Sequence, residues 1–336
     1  MRRLLILLAI ATSVSAQVKE KITVARVLVD VRVTDERFNP ILGLKPADFR
    51  VRVDNKAAIV ESVDWIEETG EATAPHQTSE PSTASMPATR PGRLYVFLFQ
   101  TDFGRAVSRV TGEMKIVLHA DDYLDLLQPE DRVAVLSYDS HLKFRLDFST
   151  DRQQLRDAMY QSLMIDDPPR PHAGSPTLTH WLTGDGLKSA NTIGDALVTL
   201  SYALRPIPGP KTMIFFSWGM GQYTPTGVFT DRNYDEARYA LQEARVTVYS
   251  IDFTQADKHS LEGGLAMVSE HTGGFYYKTY NFEKQALDRL RKTLTGHYEL
   301  EVRSDATAHG IHKISVETPG RKALVMSRTE YFEWSD

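Results

Sequence analysis

The chain has 336 residues, a formal charge of −5 and no cysteine. The missing thiols exclude disulfides, thiolate metal sites, iron–sulfur clusters, a cysteine nucleophile and a lipid on an N-terminal cysteine. The mildly acidic balance disfavours a general nucleic-acid binder, and the length suggests roughly two domains.

Residues Met1 to Ala16 read MRRLLILLAIATSVSA. Arg2 and Arg3 precede the apolar run from Leu4 to Ala11, and Val14-Ser15-Ala16 supplies small residues at cleavage spacing. This is the pattern of a secretory signal peptide with Gln17 as mature start. The apolar run is too short to span a bilayer, and no later stretch is long enough, so no transmembrane segment is expected after signal removal. Export without cysteine fits a bacterial protein, periplasmic or extracellular.

Residues 17–66 read as a β segment. Val27, Val29, Val31 and Val33 alternate with Leu28, Asp30, Arg32 and Thr34, and Phe49 to Val53 alternates again before an apolar run from Ala58 to Trp65. Period-two alternation marks half-buried strands. Residues 67–92 are rich in Ser, Thr, Pro and Ala and hold no aromatic residue. Such a composition buries too little apolar area to offset chain entropy, so a disordered linker is expected there.

From Arg93 to residue 296 strand and helix alternate. Strands are expected at Leu94–Phe99, Arg132–Tyr138, Leu142–Phe148, Thr212–Phe216, Val246–Phe253 and Phe275–Lys278. Helices are expected at Ser108–Leu127, from Thr150-Asp151 to about Met164, and at Thr192–Leu204, Asp231–Ala244, Ser260–Thr272 and Phe282–Thr295. Residues 165–190 form a long Pro- and Gly-containing loop, and long loops in compact domains are usually functional. The alternation predicts a doubly wound α/β sheet whose ligands meet the carboxyl ends of its strands. Residues 297–336 return to β, with three strands expected at His297–Arg303, His312–Glu317 and Lys322–Met326. Three strands make a poor independent core, so a small β-sandwich-like domain built jointly from residues 17–66 and 297–336 is the expectation.

The stretch VLVDVRVTDERFNPILGLKPADFRVRVDNK, with Gly43-Leu44 spaced from Asp48-Phe49, resembles the N-terminal segment of the acidobacterial von Willebrand factor type A-related family. The tail HYELEVRSDATAHGIHKISVETPGRKALVMSRTEYF is similar to that family's tail. The resemblance covers nearly all of the mature chain and implies a type A α/β domain, a fold that often carries a metal-ion-dependent adhesion site. Such a site joins an Asp-x-Ser-x-Ser loop after the first strand to a Thr before a later helix and an Asp after the next strand. Hydroxyls and carboxylates there hold a hard Mg²⁺ ion with one position open to a partner's carboxylate.

Carried onto this sequence, those positions fall on Gln100, Asp102, Gly104, Thr192 and Ser217. An amide at Gln100 and no side chain at Gly104 degrade the site. A metal-free recognition surface is therefore expected, with no cofactor. The alternative is an improvised Mg²⁺ site from Asp102, Thr192, Asp195 and Asp252. The expected function is an exported, non-enzymatic module for adhesion or protein binding. It would recognise a protein partner through loops 100–107, 166–191, 217–231 and 253–260, with Trp181 as a contact anchor. One rival is a metal-assisted or serine hydrolase at the same face. Ser217-Trp218-Gly219-Met220-Gly221 superficially suggests a nucleophile elbow, but its glycines are misplaced. Another rival is a structural envelope assembly factor acting through the β segments.

Overall fold

The computed structural model describes residues 25–68, 92–102, 107–225, 227–230, 233–254, 261–279, 283–304 and 309–333. The expected signal peptide, nearly all of the expected linker, Gly104 and most of loop 253–260 lie outside these residues.

The chain opens with β1 (Ala25–Thr34), β2 (Arg50–Val53) and β3 (Lys56–Glu67). There follow β4 (Leu94–Gln100), α1 (Val107–Leu118), α2 (Ala120–Leu124), β5 (Arg132–Tyr138), β6 (Leu142–Ser149), α3 (Arg152–Gln161), α4 (Gly184–Ser189) and α5 (Ile193–Leu204). Next come β7 (Lys211–Ser217), the hairpin β8 (Gln222–Thr224) and β9 (Gly227–Phe229), α6 (Tyr234–Glu243), β10 (Val246–Asp252), α7 (Glu262–His271), β11 (Tyr276–Lys278) and α8 (Glu283–Thr293). The chain then runs through β12 (Gly296–Ser304), β13 (Gly310–Glu317), β14 (Leu324–Ser327) and β15 (Glu330–Glu333).

One sheet has the order β11-β10-β7-β4-β5-β6, parallel throughout except for the antiparallel pair β5–β6. In chain order this is a doubly wound sheet, and the order reverses between β4 and β7. Its strands are buried on both faces, so alternate residues feed two cores. Val96, Leu98, Leu136, Phe215 and Val248 pack on one side with Leu197 and Leu200 of α5, Leu241 of α6 and Leu265 of α7. Tyr95, Phe97, Phe99, Val135, Phe216 and Ile251 pack on the other with Ile116, Tyr123 and Leu290.

The second sheet has the order β14-β1-β12-β3-β2-β13-β15. In it β1 runs antiparallel to β12, from Ala25 opposite Ser304 to Val31 opposite Tyr298, so chain from both ends of the molecule shares one ladder. Val29, Val31, Val51, Leu300, Ile314 and Tyr331 meet in a single apolar cluster.

Several elements differ from expectation. The stretch from Ser108 to Leu127 breaks at His119, whose backbone (φ −100°, ψ 25°) leaves the helical region, giving α1 and α2. Loop 165–190 contains α4, capped by the Thr183 hydroxyl. The last β region has four strands rather than three, and the hairpin β8–β9 was not expected. Charged ends mask the strand character of Glu330–Glu333, and three-residue strands are too short to show a period.

The two sheets meet at a buried ion cluster. Glu68 accepts from Arg32 Nη2 at 2.9 Å, is 2.6 Å from His297 Nδ1, and lies 3.9 Å from Arg93. Arg32 Nε also donates to the Thr293 carbonyl and Arg93 Nη1 to that of Leu294, at 3.3 and 2.9 Å. These are carbonyls at the end of α8, where a helix has acceptors without internal partners and a partial negative charge.

Gly112 sets how closely α1 approaches the sheet, because a Cβ there would collide with the Phe253 carbonyl. Gly112→Ala should therefore cost about 1–3 kcal/mol by overpacking, toward the upper end because backbone must move. Urea denaturation of the variant checks this, and an unchanged midpoint would contradict it.

Candidate functional site

The strand-order reversal puts the carboxyl ends of β4 and β7 side by side, and their last residues are Gln100 and Ser217. Both are buried, and Phe99 and Phe216 stack beneath them with ring centroids 4.5 Å apart. The Ser217 hydroxyl donates to Gln100 Oε1 and accepts from the Gly219 backbone N–H at 3.2 Å.

Around this pair the other expected site residues have partners within the protein. Asp102 Oδ1 accepts from the Trp218 indole N–H at 2.7 Å. Asp252, the buried last residue of β10, accepts from the Thr254 backbone N–H at 2.9 Å and from the Tyr276 hydroxyl at 2.7 Å. Burial, then the Asp252 carboxylate, pushes the Tyr276 phenol well above its ordinary value, so it stays a donor. Thr192 and Asp195 form the capping box of α5. The Thr192 hydroxyl accepts from the Asp195 N–H at 3.0 Å, and the Asp195 carboxylate from the Thr192 N–H at 3.1 Å. The other Asp195 oxygen accepts from Asn233. The structure thus brings Gln100 and Ser217 together, while Asp195 is spent on a helix end. Among the described residues no three His, Asp or Glu side chains are grouped to hold a metal ion.

Sequence reasoning missed Glu113. This α1 carboxyl has 0% exposure, and neither oxygen has a hydrogen-bond partner among the described residues. Burial, reinforced by the nearby Asp102 charge, pushes it up to about 9, so it is protonated at neutral pH. Its signal was legible: Glu113, Ile116, Val117 and Ala120 recur at helical spacing, which places a carboxyl within an apolar stripe. Trp218 and Tyr276, the donors to Asp102 and Asp252, were also missed as site residues, since hydrogen bonds between separate strand ends leave no local pattern.

Trp181 is 56% exposed in the long loop between α3 and α5. That loop straps the edge strand β6. Arg145 donates to the Met164 and Asp166 carbonyls, at 2.6 and 3.1 Å. Asp147 accepts from the Gly174 N–H at 2.9 Å and from the Leu178 N–H at 3.1 Å.

A larger cavity, about 620 Å³, lies at the opposite end of the sheet against the second sheet. Of the five carboxylates in its lining, Asp30, Glu68 and Asp131 are tied to arginines. The Lys211 ammonium donates to the Ile207 and Ala244 carbonyls, and burial followed by Arg245 lowers it to about 8. These polar groups build the joint between the sheets.

No family model matches this chain, and no curated protein matches it. Solved structures do resemble it in part. Von Willebrand factor type A from Catenulispora acidiphila is 11% identical over 93% of this chain and 74% of that one, with a TM-score of 0.40. Conserved hypothetical protein BatB from Bacteroides thetaiotaomicron is 14% identical over 60% of this chain and 98% of its own, with a TM-score of 0.41. Human COPII-coat protein Sec24c is 10% identical over 71% of this chain, which spans only 43% of that structure, with a TM-score of 0.40. The strand order, not these distant likenesses, defines the fold. Among the described residues no helix is long and apolar enough to cross a membrane.

Proposed function

We propose that this is an exported bacterial protein, periplasmic or extracellular, whose α/β unit is of the von Willebrand type A kind. It binds a protein partner through its strand-end loops, without a metal ion and without catalysing a reaction. The α/β unit is inserted into a discontinuous β domain made from the two ends of the chain.

One observation carries the metal-free, non-catalytic part of this reading: the Ser217 hydroxyl donates to the Gln100 amide oxygen at the reversal of strand order. Where a type A domain presents ligands to Mg²⁺, this chain closes two neutral side chains on each other. Asp102, Asp195 and Asp252 accept from Trp218, Asn233 and Tyr276, so a cation would have to compete with those donors. The same bond argues against a serine hydrolase. Ser217 is fully buried and hydrogen-bonded to an amide, whereas a nucleophilic hydroxyl needs a base that takes its proton.

Photo-crosslinking tests the binding face. A benzophenone amino acid is placed at position 181, or at position 59 on the second sheet, where Ile59 is 53% exposed. In intact cells of the native host, a discrete protein adduct is expected from position 181 and not from 59. Adducts from 59 alone would favour the assembly factor acting through the β domain.

A further inference from the structure

A smaller cavity beside the strand-end face indicates what kind of partner segment would bind. It has a volume of about 260 Å³ and lies between the start of β6, the loop after α3, and α4. Leu142, Phe144, Leu182 and Leu187 give it apolar walls, and Pro168, Pro169 and Pro171 form a stiff rim. Its size falls below the ~300–1,000 Å³ of small-molecule pockets, which favours a single large side chain over a drug-sized ligand.

The charges at its mouth are unequal. Arg170 and Lys188 line the cavity, both are exposed, and neither has a carboxylate partner among the described residues. Arg170 Nη2 donates only to the Thr179 carbonyl, at 2.6 Å. The third cation, Lys143, is buried and neutralised by Asp139. The one carboxylate in the lining, Asp167, is engaged by His141 at 2.7 Å and lies 3.9 Å from Lys143. Asp166 and Asp185 belong to neighbouring chain but do not line the cavity. The lining thus carries two exposed cations without an ion-pair partner among the described residues, against the single carboxylate of Asp167, around an apolar hole, with Trp181 exposed in the same loop.

We infer that this cavity is the anchor pocket of the binding face, and that its ligand is an acidic peptide segment of the partner. A large apolar side chain packs on Leu187 and the proline rim, above the buried Leu142 and Phe144, and flanking carboxylates pair with Arg170 and Lys188. The inference rests on the protein-binding function proposed above and adds the partner's chemistry. Anchors of this kind combine a desolvated apolar side chain with charges that steer and orient it.

Phage-displayed random twelve-residue peptides, selected on the chain lacking residues 1–16, test this. Enriched peptides should combine an aromatic or large aliphatic residue with at least two carboxylates. Their affinity should fall ~tenfold or more in Arg170→Glu/Lys188→Glu and should weaken with added salt. Leu187→Trp, which fills the cavity, should abolish binding while the melting temperature is retained. Basic or purely polar consensus peptides, no enrichment, or binding unaffected by both variants would overturn the inference. Peptides lost in Trp181→Ala but kept in both pocket variants would overturn the pocket while leaving the strand-end binding function standing.

Discussion

Replacing Glu113 with methionine should raise the melting temperature by several degrees near pH 8 and by clearly less near pH 4. In the folded chain this carboxyl is pushed up to about 9, chiefly by burial and then by Asp102. In the unfolded chain it titrates near its ordinary value, about 4.5. Below that value both states hold the proton, so the proton-linked penalty vanishes and only the cost of a buried polar group without a partner among the described residues remains. As pH rises toward 9, the unfolded state releases a proton that the folded state retains, and stability falls by ~1.4 kcal/mol per unit. At pH 7 the accumulated loss is on the order of 3 kcal/mol, which methionine removes. Glu113→Gln separates two effects. It abolishes the pH slope but keeps a buried polar group without a partner. Equal stabilisation by methionine at both pH values would show that the carboxyl is not held protonated.

The second large effect is expected at the joint between the sheets. Glu68→Ala should cost about 3–5 kcal/mol, because it leaves the buried Arg32 guanidinium without its carboxylate. Burial alone would raise the Glu68 pKa, but Arg32, His297 and Arg93 outweigh it and hold the carboxyl below its ordinary value. The stabilisation is therefore present above about pH 4.5 and is lost as pH falls through the lower folded-state value. Urea midpoints of the native chain and Glu68→Gln should converge on acidification. The double variant Glu68→Leu/Arg32→Met should be more stable than Glu68→Leu alone, since removing both charges leaves neither uncompensated. A double variant no better than the single would show that the ion cluster is not the coupling element.

Much of the α/β fold was legible because buried parallel strands are continuous apolar runs. LYVFLF, RVAVLSY and VTVYSIDF announce β4, β5 and β10 directly. The helix expected at Thr192–Leu204 is α5, and the structure shows that a capping box of Thr192 and Asp195 starts it. The register between distant segments was not legible. Alternating valines in β1 mark a half-buried strand but do not say that Val31 lies opposite Tyr298. The site was legible in part for the same reason. The resemblance to the type A family named Gln100 and Ser217, and Asp252 for an improvised site, whereas Trp218, Tyr276 and Asn233 reach their acceptors across 116, 24 and 38 residues of sequence. Short strands such as β8, β9 and β15 lack the length over which a period can be read, and charge at both ends of β15 hides it further.

The most direct test of the metal-free binding face is thermal unfolding of the chain lacking residues 1–16, in millimolar Mg²⁺, in Mn²⁺ and in EDTA. A ligand held only by the folded state at a hundred times its Kd adds about 2.7 kcal/mol, which appears as a rise of several degrees. With the Gln100–Ser217 pair closed on itself, the three melting temperatures should agree to within roughly 1 °C. A rise of several degrees in either metal, reversed by EDTA and abolished by Asp102→Asn, would contradict the account and restore a cation to the strand-end face.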